Sequence, residues 1–489
     1  MNILLIEPRG ADKSEGMSRL TNVDINEPLG ICYLAAVAKS AGFKTKIVQQ
    51  FDDVSNSKIL EQTKCFTPDV VGISTMTFNY NNGRRLAQEI KAIMPSTVIV
   101  FGGIHATLNP EIVLDPAIDF AVLGEGEKTF IDLLTHIDRG RANFQEIHGI
   151  AYDKSGEVFV TTPRPRMTSD ELTSLPFPDR EDLPMERYKR FSLSYPPPSL
   201  QKHASINFGR GCTYHCTFCT SPKEWQNGRI ERNPKNVVDE MEYLINKFGT
   251  NFLFFRDEDF LLDTEKVTEL CEEVLRRAVK ISWYCHGRVS DINGHEIAQK
   301  RTLLELMKKA GCFEIVYGIE TGDEETLSRI NKRTTLRQAE TAVRITSESG
   351  IMTGCLFMIG FPWETKASLF NTLNFAKDLE YDRIRVTFAT PFKGTIFYEQ
   401  SKDDLLTEDL DDFDTNEIVI RSRVSPDYLE LFQKKMYKRL YMSKTYLLRC
   451  MLRISREPRL LGSYLQWFKF LYNNLCHHKS RFVYHEEVL

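Results

Sequence analysis

Three cysteines near the middle of the chain, Cys212, Cys216 and Cys219, follow one another in the spacing C-x3-C-x2-C. A [4Fe–4S] cluster has four irons and is usually held by four thiolates. Three closely spaced thiolates without a fourth would leave one iron open to a small molecule. The alternatives are a zinc site and three buried thiols. Zinc usually takes four protein ligands, often in paired C-x2-C units, and the sequence offers no second pair. The spacing therefore favours a cluster with one open iron.

Composition limits the classes of protein to consider. The chain has 489 residues, of which 42% are hydrophobic and 27% charged, and this predicts two or three domains with a sizeable core. The net charge of -4 argues against nucleic acid as a general partner. The other cysteines lack the spacing of a disulfide framework, which is typical of reduced thiols in a cytoplasm. The opening residues are too short for a signal peptide, no apolar run could span a bilayer, and we expect a cytoplasmic protein.

The elements that would position ligands in the first half, residues 1–140, are short apolar runs that alternate with helical stretches. This alternation predicts a doubly wound, Rossmann-like parallel sheet. Ligands of such sheets lie outside the carboxyl ends of the strands, where glycine lets them approach the backbone closely. The residues predicted at those ends are Ser74, Thr75, Gly102, Gly103, Gly124, Glu125 and Gly126. Any one of these glycines alone would indicate only a tight turn, but three sets at one edge favour a binding site.

Residues 141–200 differ from the domains on either side. A hairpin-like stretch over residues 149–161 precedes a run that is rich in proline. Because proline fixes φ and resists regular structure, we expect an extended connector that crosses the surface of the next domain. No chemistry is assigned to it.

The second half, residues 201–400, predicts six βα units and therefore a partial (β/α)6 barrel of the TIM type, with its reactive edge at the carboxyl ends of the strands. Polar residues follow those strands: Asp257, Glu258, Asp259, Arg288, Glu320 and Thr321. Hydrogen bonding at the top of the barrel is the alternative for each acid. Asp257, Glu258 and Asp259 are consecutive in the sequence, so they cannot lie on opposite sides of one substrate bond, as the two acids of a glycosidase must. Cys285 and His286 are neighbours on a strand and point to opposite faces, which argues against a Cys/His nucleophile.

The last segment, residues 401–489, is mainly helical, with helices predicted over residues 428–442, 446–454 and 460–475. Basic residues alternate there with leucine and aromatic residues, among them Trp467, Phe468 and Phe470. One interpretation is a helical cap that closes the barrel over its substrate. The other is peripheral contact with a membrane surface, which would suit a lipid substrate.

The cysteine motif resembles the signature of the radical SAM enzymes, in which S-adenosylmethionine (SAM) binds the open iron. Three further segments resemble those of the B12-dependent members. Residues 318–322 look like Gly-Ile-Glu-Ser-Gly with Thr321 for Ser, residues 360–365 like Gly-x-Pro-Gly-Glu-Thr with Trp363 for Gly, and residues 391–395 like Pro-x-Pro-Gly-Thr with Lys393 for Pro. Together with the first half, the set resembles the B12-dependent radical SAM family, which includes the anaerobic magnesium-protoporphyrin ester cyclase and many C-methyltransferases.

The resemblance implies three cofactors: a [4Fe–4S] cluster, SAM and cobalamin. It places the cluster on Cys212, Cys216 and Cys219. It places SAM near Phe218, Asp257, Arg288, Glu320 and Thr321. It places cobalamin near Ser74, Thr75, Gly102, Gly103, His105, Gly124, Glu125 and Gly126. Many B12 domains supply a histidine to cobalt from Asp-x-His-x-x-Gly after the first strand. Here Glu7, Pro8, Arg9 and Gly10 stand in that place, so the resemblance is to members that bind cobalamin without that ligand.

The reaction that the resemblance implies first is C-methylation, in which a methyl group moves from methylcobalamin to an unactivated carbon through a 5′-deoxyadenosyl radical. A cyclisation or rearrangement without methyl transfer is the second reading, and a non-catalytic iron–sulfur sensor is a third from another class. The expected partners are a small-molecule, lipid or peptide substrate and an electron donor such as flavodoxin or ferredoxin. No catalytic side chain and no substrate are identified by the sequence.

Overall fold

Two sheets, one in each half of the chain, organise the molecule. The computed structural model describes residues 1–10, 26–188, 202–226, 228–292, 297–465 and 468–469. Within these residues the class is α/β, as predicted, and the carboxyl-terminal part is helical. Each half has its own hydrophobic core. The first core includes the apolar residues 3–6 of the first strand, and the second is formed by the strands and helices of the barrel.

The first sheet has seven strands in the order β2-β1-β3-β4-β5-β6-β7. The pairs among β1 to β5 are parallel, as in a doubly wound domain. The elements of this half are β1 (Asn2–Glu7), α1 (Leu29–Ser40), β2 (Lys44–Gln49), α2 (Asn56–Phe66), β3 (Val70–Ser74), α3 (Tyr80–Ile93), β4 (Val98–Gly102), α4 (Ile104–Leu108), β5 (Phe120–Val122), α5 (Gly126–Asp138), β6 (Ile150–Lys154) and β7 (Glu157–Val160).

The hairpin β6–β7 belongs to the first sheet, whereas the sequence analysis places it in the connector. Strand β6 pairs antiparallel with β5 through Ala121–Ala151 and Val122–Ile150, and β7 then pairs with β6. An unpaired β5 would expose a row of backbone donors and acceptors at the edge of the sheet, and the hairpin satisfies them. The boundary predicted at residue 140 therefore does not coincide with the end of the sheet.

The connector after the hairpin is anchored in the interior by one arginine. It contains the short helix α6 (Ser169–Ser174), and Arg180 beyond it is 0% exposed. The Arg180 guanidinium lies 3.4 Å from Glu27 of the first domain, 3.2 Å from Glu240 and 2.6 Å from the carbonyl of Ser205. One buried side chain thus joins both halves. The prolines at 196–198 lie outside the described residues.

The second sheet has six parallel strands in the order β15-β14-β13-β12-β11-β8, the topology of a partial barrel. Its elements, with a two-stranded ribbon of β9 and β10, are β8 (His203–Ile206), β9 (Gly209–Gly211), α7 (Ser221–Glu224), β10 (Arg229–Glu231), α8 (Pro234–Phe248), β11 (Phe252–Phe255), α9 (Thr264–Arg276), β12 (Ser282–Gly287), α10 (Ile297–Lys309), β13 (Cys312–Glu320), α11 (Glu324–Arg329), α12 (Leu336–Glu348), β14 (Met352–Ile359), α13 (Lys366–Asp378), β15 (Arg383–Phe388) and α14 (Ile396–Ser401).

The two faces of this sheet differ in what they contact. Trp283 donates its indole N–H to the carbonyl of Ala310 after α10, and the Tyr317 hydroxyl lies 2.8 Å from Thr346 in α12. These residues mark the outer face, which packs on the helices. Because side chains alternate along a strand, Tyr284 and Val316 belong to the opposite face, which we call the inner face.

Helices α15 (Pro426–Tyr441) and α16 (Lys444–Arg456) follow the barrel. The backbone N–H groups of Ile384 and Val386 donate to the hydroxyls of Tyr441 and Tyr437, at 2.7 and 2.8 Å. Helix α15 therefore covers the free edge of β15.

Helix α16 exposes part of its apolar surface. The exposed fractions are 54% for Leu448, 60% for Met451 and 51% for Leu452. No helix in the described part of the chain is both long and apolar enough to span a membrane. Contact with a membrane surface stays a prediction, and most of the helix predicted over residues 460–475 lies outside the described residues.

Candidate active site

The cysteine loop connects β9 to α7 at the carboxyl edge of the second sheet. Its entry is fixed by Asp257, which follows β11. The Asp257 carboxylate accepts the backbone N–H groups of Phe208 at 3.0 Å and Gly209 at 2.5 Å, and it pairs with Arg229 at 3.1 Å. All of these groups are buried. Asp257, predicted near SAM, is therefore occupied by donors of the protein itself and positions the strand that leads into the loop.

The middle of the loop is held by hydrogen bonds from two other segments. Thr217 donates its N–H to the carbonyl of Ile330 at 3.0 Å, and its own carbonyl accepts the N–H of Phe397 at 2.9 Å. The Asn331 amide donates to the carbonyl of His215 at 2.8 Å. The positions of the loop residues thus depend on the segment after α11 and on the first turn of α14.

The three thiols of the loop differ in exposure, and two of them have raised pKa values. Cys216 is 7% exposed, and Cys212 and Cys219 are partly exposed. Burial, with a contribution from the neighbouring thiols, raises the pKa of Cys219 to about 12 and also raises that of Cys212. Among the described residues, no three His, Cys, Asp or Glu side chains lie close enough to hold a single metal ion. A cluster instead takes its thiolates on separate irons, and buried thiols ionise when a metal binds them. The donor set therefore fits a [4Fe–4S] cluster.

Arg288 links the cysteine loop to the residues predicted near SAM. Its guanidinium lies 3.5 Å from the Cys216 sulfur, donates to the carbonyl of Lys332 and stacks 3.6 Å from the centre of the Tyr214 ring. The Lys332 ammonium in turn lies 2.5 Å from the Glu320 carboxylate. Lys332 therefore connects Arg288 with Glu320, since its carbonyl binds the first and its ammonium binds the second. Sequence reasoning missed Lys332, because a single lysine after a short helix forms no pattern.

The segment after β13 has an unusual backbone. Glu320 has φ of 72°, a left-handed conformation that residues with a side chain seldom adopt. The pairing with β14 shifts register between Gly318 and Glu320. Thr321 lies 2.9 Å from the Thr372 hydroxyl and accepts the N–H of Asp323 at 3.1 Å. The hydroxyl of Thr321 is thus used within the protein, and a contact with SAM stays a prediction for both residues.

A second acid at this edge differs from Asp257. Asp259 is 0% exposed, and neither of its carboxylate oxygens has a hydrogen-bond partner among the described residues. Burial and the nearby Asp291 raise its pKa well above the usual value. Asp259 therefore shares its surroundings with a second acid and, unlike Asp257, is bound by no backbone or guanidinium donor among the described residues. The sequence names it only as part of a run, because spacing does not reveal which acid finds donors.

Phe218 packs beside an aromatic cluster beyond the loop. Phe361 and Trp363 stack at 5.2 Å and Phe397 lies edge-on to Phe361 at 5.5 Å. The turn that carries them is closed by Glu364, which accepts the N–H groups of Gly360 and Phe361 at 2.6 and 3.0 Å. The tryptophan that replaces glycine in this turn therefore has a packing role.

The predicted cobalamin edge of the first sheet is built for close backbone approach. Gly103 has φ of +87°, and a Cβ there would lie 2.7 Å from the carbonyl of Thr75 and 3.0 Å from the Ser74 hydroxyl. A Cβ at Gly102 would meet nothing within 4 Å. The buried Thr75 hydroxyl has no hydrogen-bond partner within the described part of the chain. An open backbone edge with an unused hydroxyl fits a ligand that lies against it.

The end of β5 continues this edge. Gly124 has φ of +72° and donates its N–H to the Thr107 hydroxyl at 2.9 Å. Gly126 begins α5, where a Cβ would lie 3.2 Å from Leu34. Glu125 accepts the N–H of Met167 at 2.9 Å and lies 3.3 Å from Arg210. Glu125 thus contacts the second domain, and a contact with cobalamin stays a prediction for all three.

His105 lies inside the first domain. It is 3% exposed, its ring centre is 4.2 Å from that of Tyr80, and its Nδ1 is 3.3 Å from the Thr77 hydroxyl. Burial lowers its pKa to about 4. The structure therefore shows an imidazole packed inside the domain, and its role as a loop or tail contact of cobalamin stays a prediction.

The carboxyl edges of the two sheets contact each other. Arg210 of β9 is buried and lies 2.6 Å from Glu127 and 3.3 Å from Glu125 at the start of α5. On another side, Lys393 pairs with Glu111, and a Cβ at Gly394 would lie 2.8 Å from the Leu108 side chain. The cysteine loop and the glycine-rich edge thus belong to adjoining parts of one molecule.

Comparison with known proteins agrees with this two-part arrangement. A model described as the B12 binding domain matches residues 22–134, and one described as the Radical SAM superfamily matches residues 206–376. The chain is 32% identical to the anaerobic magnesium-protoporphyrin IX monomethyl ester cyclase of Rubrivivax gelatinosus, over 86% of this chain and 74% of that protein. It is 30% identical to an uncharacterized methyltransferase of Pyrococcus horikoshii, over 82% and 83%. The fold resembles the cobalamin-dependent S-adenosylmethionine radical enzyme OxsB, with a TM-score of 0.73, 16% identity and coverage of 97% and 71%.

Proposed function

The chain belongs to the B12-dependent radical SAM family, and from that premise we propose that it is a C-methyltransferase acting on an unactivated carbon of an organic substrate. Its cofactors are a [4Fe–4S] cluster, SAM and cobalamin. When bound, the cluster and SAM would supply the radical chemistry and cobalamin would supply the methyl group. We also propose that an electron donor such as flavodoxin or ferredoxin would reduce the cluster.

The observation that carries this proposal is the contact between the two carboxyl edges through Arg210, Glu125 and Glu127. Transfer of a group between two cofactors requires both to lie beside one substrate in a fixed geometry. The buried ion pair fixes the glycine-rich edge against the strand that leads into the cysteine loop. Similarity to an uncharacterized methyltransferase over four fifths of both chains supports methyl transfer as the outcome.

The side chains of this protein would bind and orient. Cys212, Cys216 and Cys219 would hold the cluster, and Arg288 would place a positive charge beside the Cys216 thiolate. The buried Asp259 carboxyl, whose pKa is raised by burial and by Asp291, would form a hydrogen bond with a ligand at this edge. Ser74, Thr75 and the adjacent glycines would bind the cobalamin tail.

A cyclisation without methyl transfer is the second candidate. The specific observation in its favour is the 32% identity to a magnesium-protoporphyrin ester cyclase. Both reactions begin with the same radical, so the features that support radical formation do not separate them.

The first experiment is anaerobic reconstitution of the full chain with iron, sulfide and hydroxocobalamin. We expect an absorption spectrum with both chromophores and formation of 5′-deoxyadenosine when the reduced protein receives SAM. Cys216→Ala should abolish deoxyadenosine, whereas Cys65→Ala, which alters an exposed cysteine, should not. Deoxyadenosine without retained cobalamin would contradict the methyltransferase, and no deoxyadenosine at all would favour the non-catalytic sensor.

Separating the two reactions requires a label. The reconstituted protein would receive SAM deuterated in its methyl group together with candidate substrates. A product that carries the deuterated methyl supports methyl transfer. A product that loses hydrogen without gaining the label supports the cyclase.

A further inference from the structure

A layer of cationic side chains lies on the inner face of the second sheet, below the cysteine loop. In the sheet, His286 pairs with Val316, Val316 with Gly354, and Gly354 with Arg383. His286 and Arg383 therefore lie at the same level along the strand direction. Arg256 follows Phe254 by two residues, and Phe254 pairs with Tyr284, so Arg256 shares the height of His286.

Arg385 stands one step nearer the carboxyl edge, level with Gly318 through Leu356. Two residues along a strand span about 6.6 Å. Arg385 is therefore nearer than Arg383 to the carboxyl edge of the sheet, from which the cysteine loop extends. We call Arg256, Arg383 and Arg385, together with the imidazole of His286 on which their charges act, the cationic layer.

Most of the positive charge in the cationic layer is not neutralised. Arg383 is paired with the buried Glu314, at 2.8 and 2.5 Å. Among the described residues, Arg256 and Arg385 form no ion pair, and the buried Nε of Arg385 has no hydrogen-bond partner. The acid that the first domain directs toward this layer is Glu7, whose pKa burial raises to about 7 and which feels the charge of Arg256.

The positive charges of Arg256, Arg383 and Arg385 all act on His286. Burial, followed by the charges of Arg256, Arg383 and Arg385, lowers the pKa of His286 to about 4. Below it, the rings of Tyr284 and Phe254 close the interior of the barrel, with Tyr284 5.5 Å from the imidazole and 4.7 Å from Phe254. Like charges held on one face of a sheet repel one another, and an anion bound among them would offset that repulsion.

We propose that the cationic layer binds the anionic group, a carboxylate or a phosphate, of this enzyme's substrate. The rest of the substrate would then extend toward the cysteine loop, where the reacting carbon belongs. Arginine suits this task because its planar group donates two hydrogen bonds to either anion. This substrate class rests on the proposed function, but the binding site does not depend on turnover.

The test is calorimetric titration of the reconstituted protein, with cobalamin and SAM bound and without reductant, using inorganic phosphate and, separately, acetate. We expect saturable binding of at least one anion. Arg385→Gln and Arg256→Gln should each weaken it about tenfold or more, because each removes a charged contact. Arg385→Lys should retain most of the affinity. Arg344→Gln, an exposed arginine on α12, is the matched control and should bind as the unaltered chain does.

Absence of saturable binding for both anions would overturn the proposal, as would equal weakening in Arg344→Gln. Because Arg256 is exposed, its variant keeps the test valid if Arg385→Gln does not fold. Deoxyadenosine formation, measured on the same preparations, distinguishes a failure of the anion-binding proposal from a failure of the proposed function. Lost anion binding with retained deoxyadenosine supports the substrate site, whereas an unaltered chain that makes no deoxyadenosine contradicts the proposed function alone.

Discussion

At the scale of single residues, the site is defined by what each polar group contacts rather than by its type. Asp257 and Asp259 are two positions apart and both are buried, yet one binds three donors and the other has no hydrogen-bond partner among the described residues. The same contrast separates Arg383, paired with Glu314, from Arg385 two residues later. Such differences decide which side chains hold the fold and which are free for a ligand.

Arg288 should tune the electrochemistry of the cluster. Its N–H donates toward the Cys216 sulfur at 3.5 Å, and a cation that donates to a cluster ligand favours the reduced, more negative state. We expect Arg288→Gln to lower the midpoint potential on the order of 60 mV, equivalent to a tenfold change in the redox equilibrium. Potentiometric titration followed by electron paramagnetic resonance measures it. Arg288→Lys should recover part of the shift, and an unchanged potential in Arg288→Gln would refute the assignment.

His105 should make the first domain sensitive to acid. Its pKa in the folded chain is about 4, below the usual 6.5, so the unfolded chain binds the proton more readily between these values. Stability is therefore lost as the pH falls from about 6.5 toward 4, by about 2 kcal/mol at pH 5. In His105→Gln, the decrease in the free energy of unfolding that comes from protonation of His105 should be absent. Urea unfolding at pH 5 and pH 7.5 measures it, with the exposed His148→Gln as control, and identical pH profiles for all three chains would contradict the prediction.

At the scale of elements, the cysteine loop depends on the strand ends around it. The end of β11 fixes the end of β8 through Asp257, and the segments beside α11 and α14 fix residues 215–217. A loop that must present three thiolates to one cluster has little regular structure of its own. Its geometry therefore comes from long-range hydrogen bonds rather than from local propensity.

Asp257→Asn tests this dependence. The substitution preserves size but removes the charge that binds Arg229 and two backbone donors, and we expect about 3 kcal/mol lower stability and less iron per chain after gel filtration. Asp403→Asn, on the surface, serves as control. If iron content is unchanged and only SAM affinity falls, Asp257 contacts SAM as the sequence predicted, and the anchoring role is wrong.

At the scale of the whole molecule, buried ion pairs join the two halves. Arg180 bridges Glu27 and Glu240, and Arg210 bridges to Glu125 and Glu127. Both arginines are buried, so removing one leaves at least one buried carboxylate without its ion pair. The relative placement of the two carboxyl edges therefore depends on a small number of side chains.

Arg180→Met should weaken the connection between the domains. We expect a loss of about 3–5 kcal/mol in the free energy of unfolding, because Glu27 remains buried without an ion pair, while Glu240 keeps its pairing with Arg232 at 2.6 Å. All four tryptophans lie at or after position 225, so their fluorescence reports the second half and cobalamin absorbance the first. The two unfolding transitions should separate in Arg180→Met and coincide in Arg187→Met, whose side chain is 39% exposed. Coincident transitions in both variants would show that Arg180 does not couple the halves.

The sequence alone determined the class of both domains and the cluster motif, because both depend on local information. The alternation of apolar strands with helices is set by periods of two and 3.6 residues, and the spacing of Cys212, Cys216 and Cys219 lies within one loop. Placement of polar groups at strand ends also follows from that alternation.

Only the tertiary structure decided which of those groups already have partners. Asp257 meets Phe208 and Gly209, 49 and 48 residues away in the chain, and Lys332 reaches Glu320 from a turn without any motif. The hairpin β6–β7 joins the first sheet because β5 needs a partner, and Arg180 closes the interface from within a proline-rich connector. Each of these depends on burial and on which distant donors surround a group, and no local pattern in the sequence encodes either.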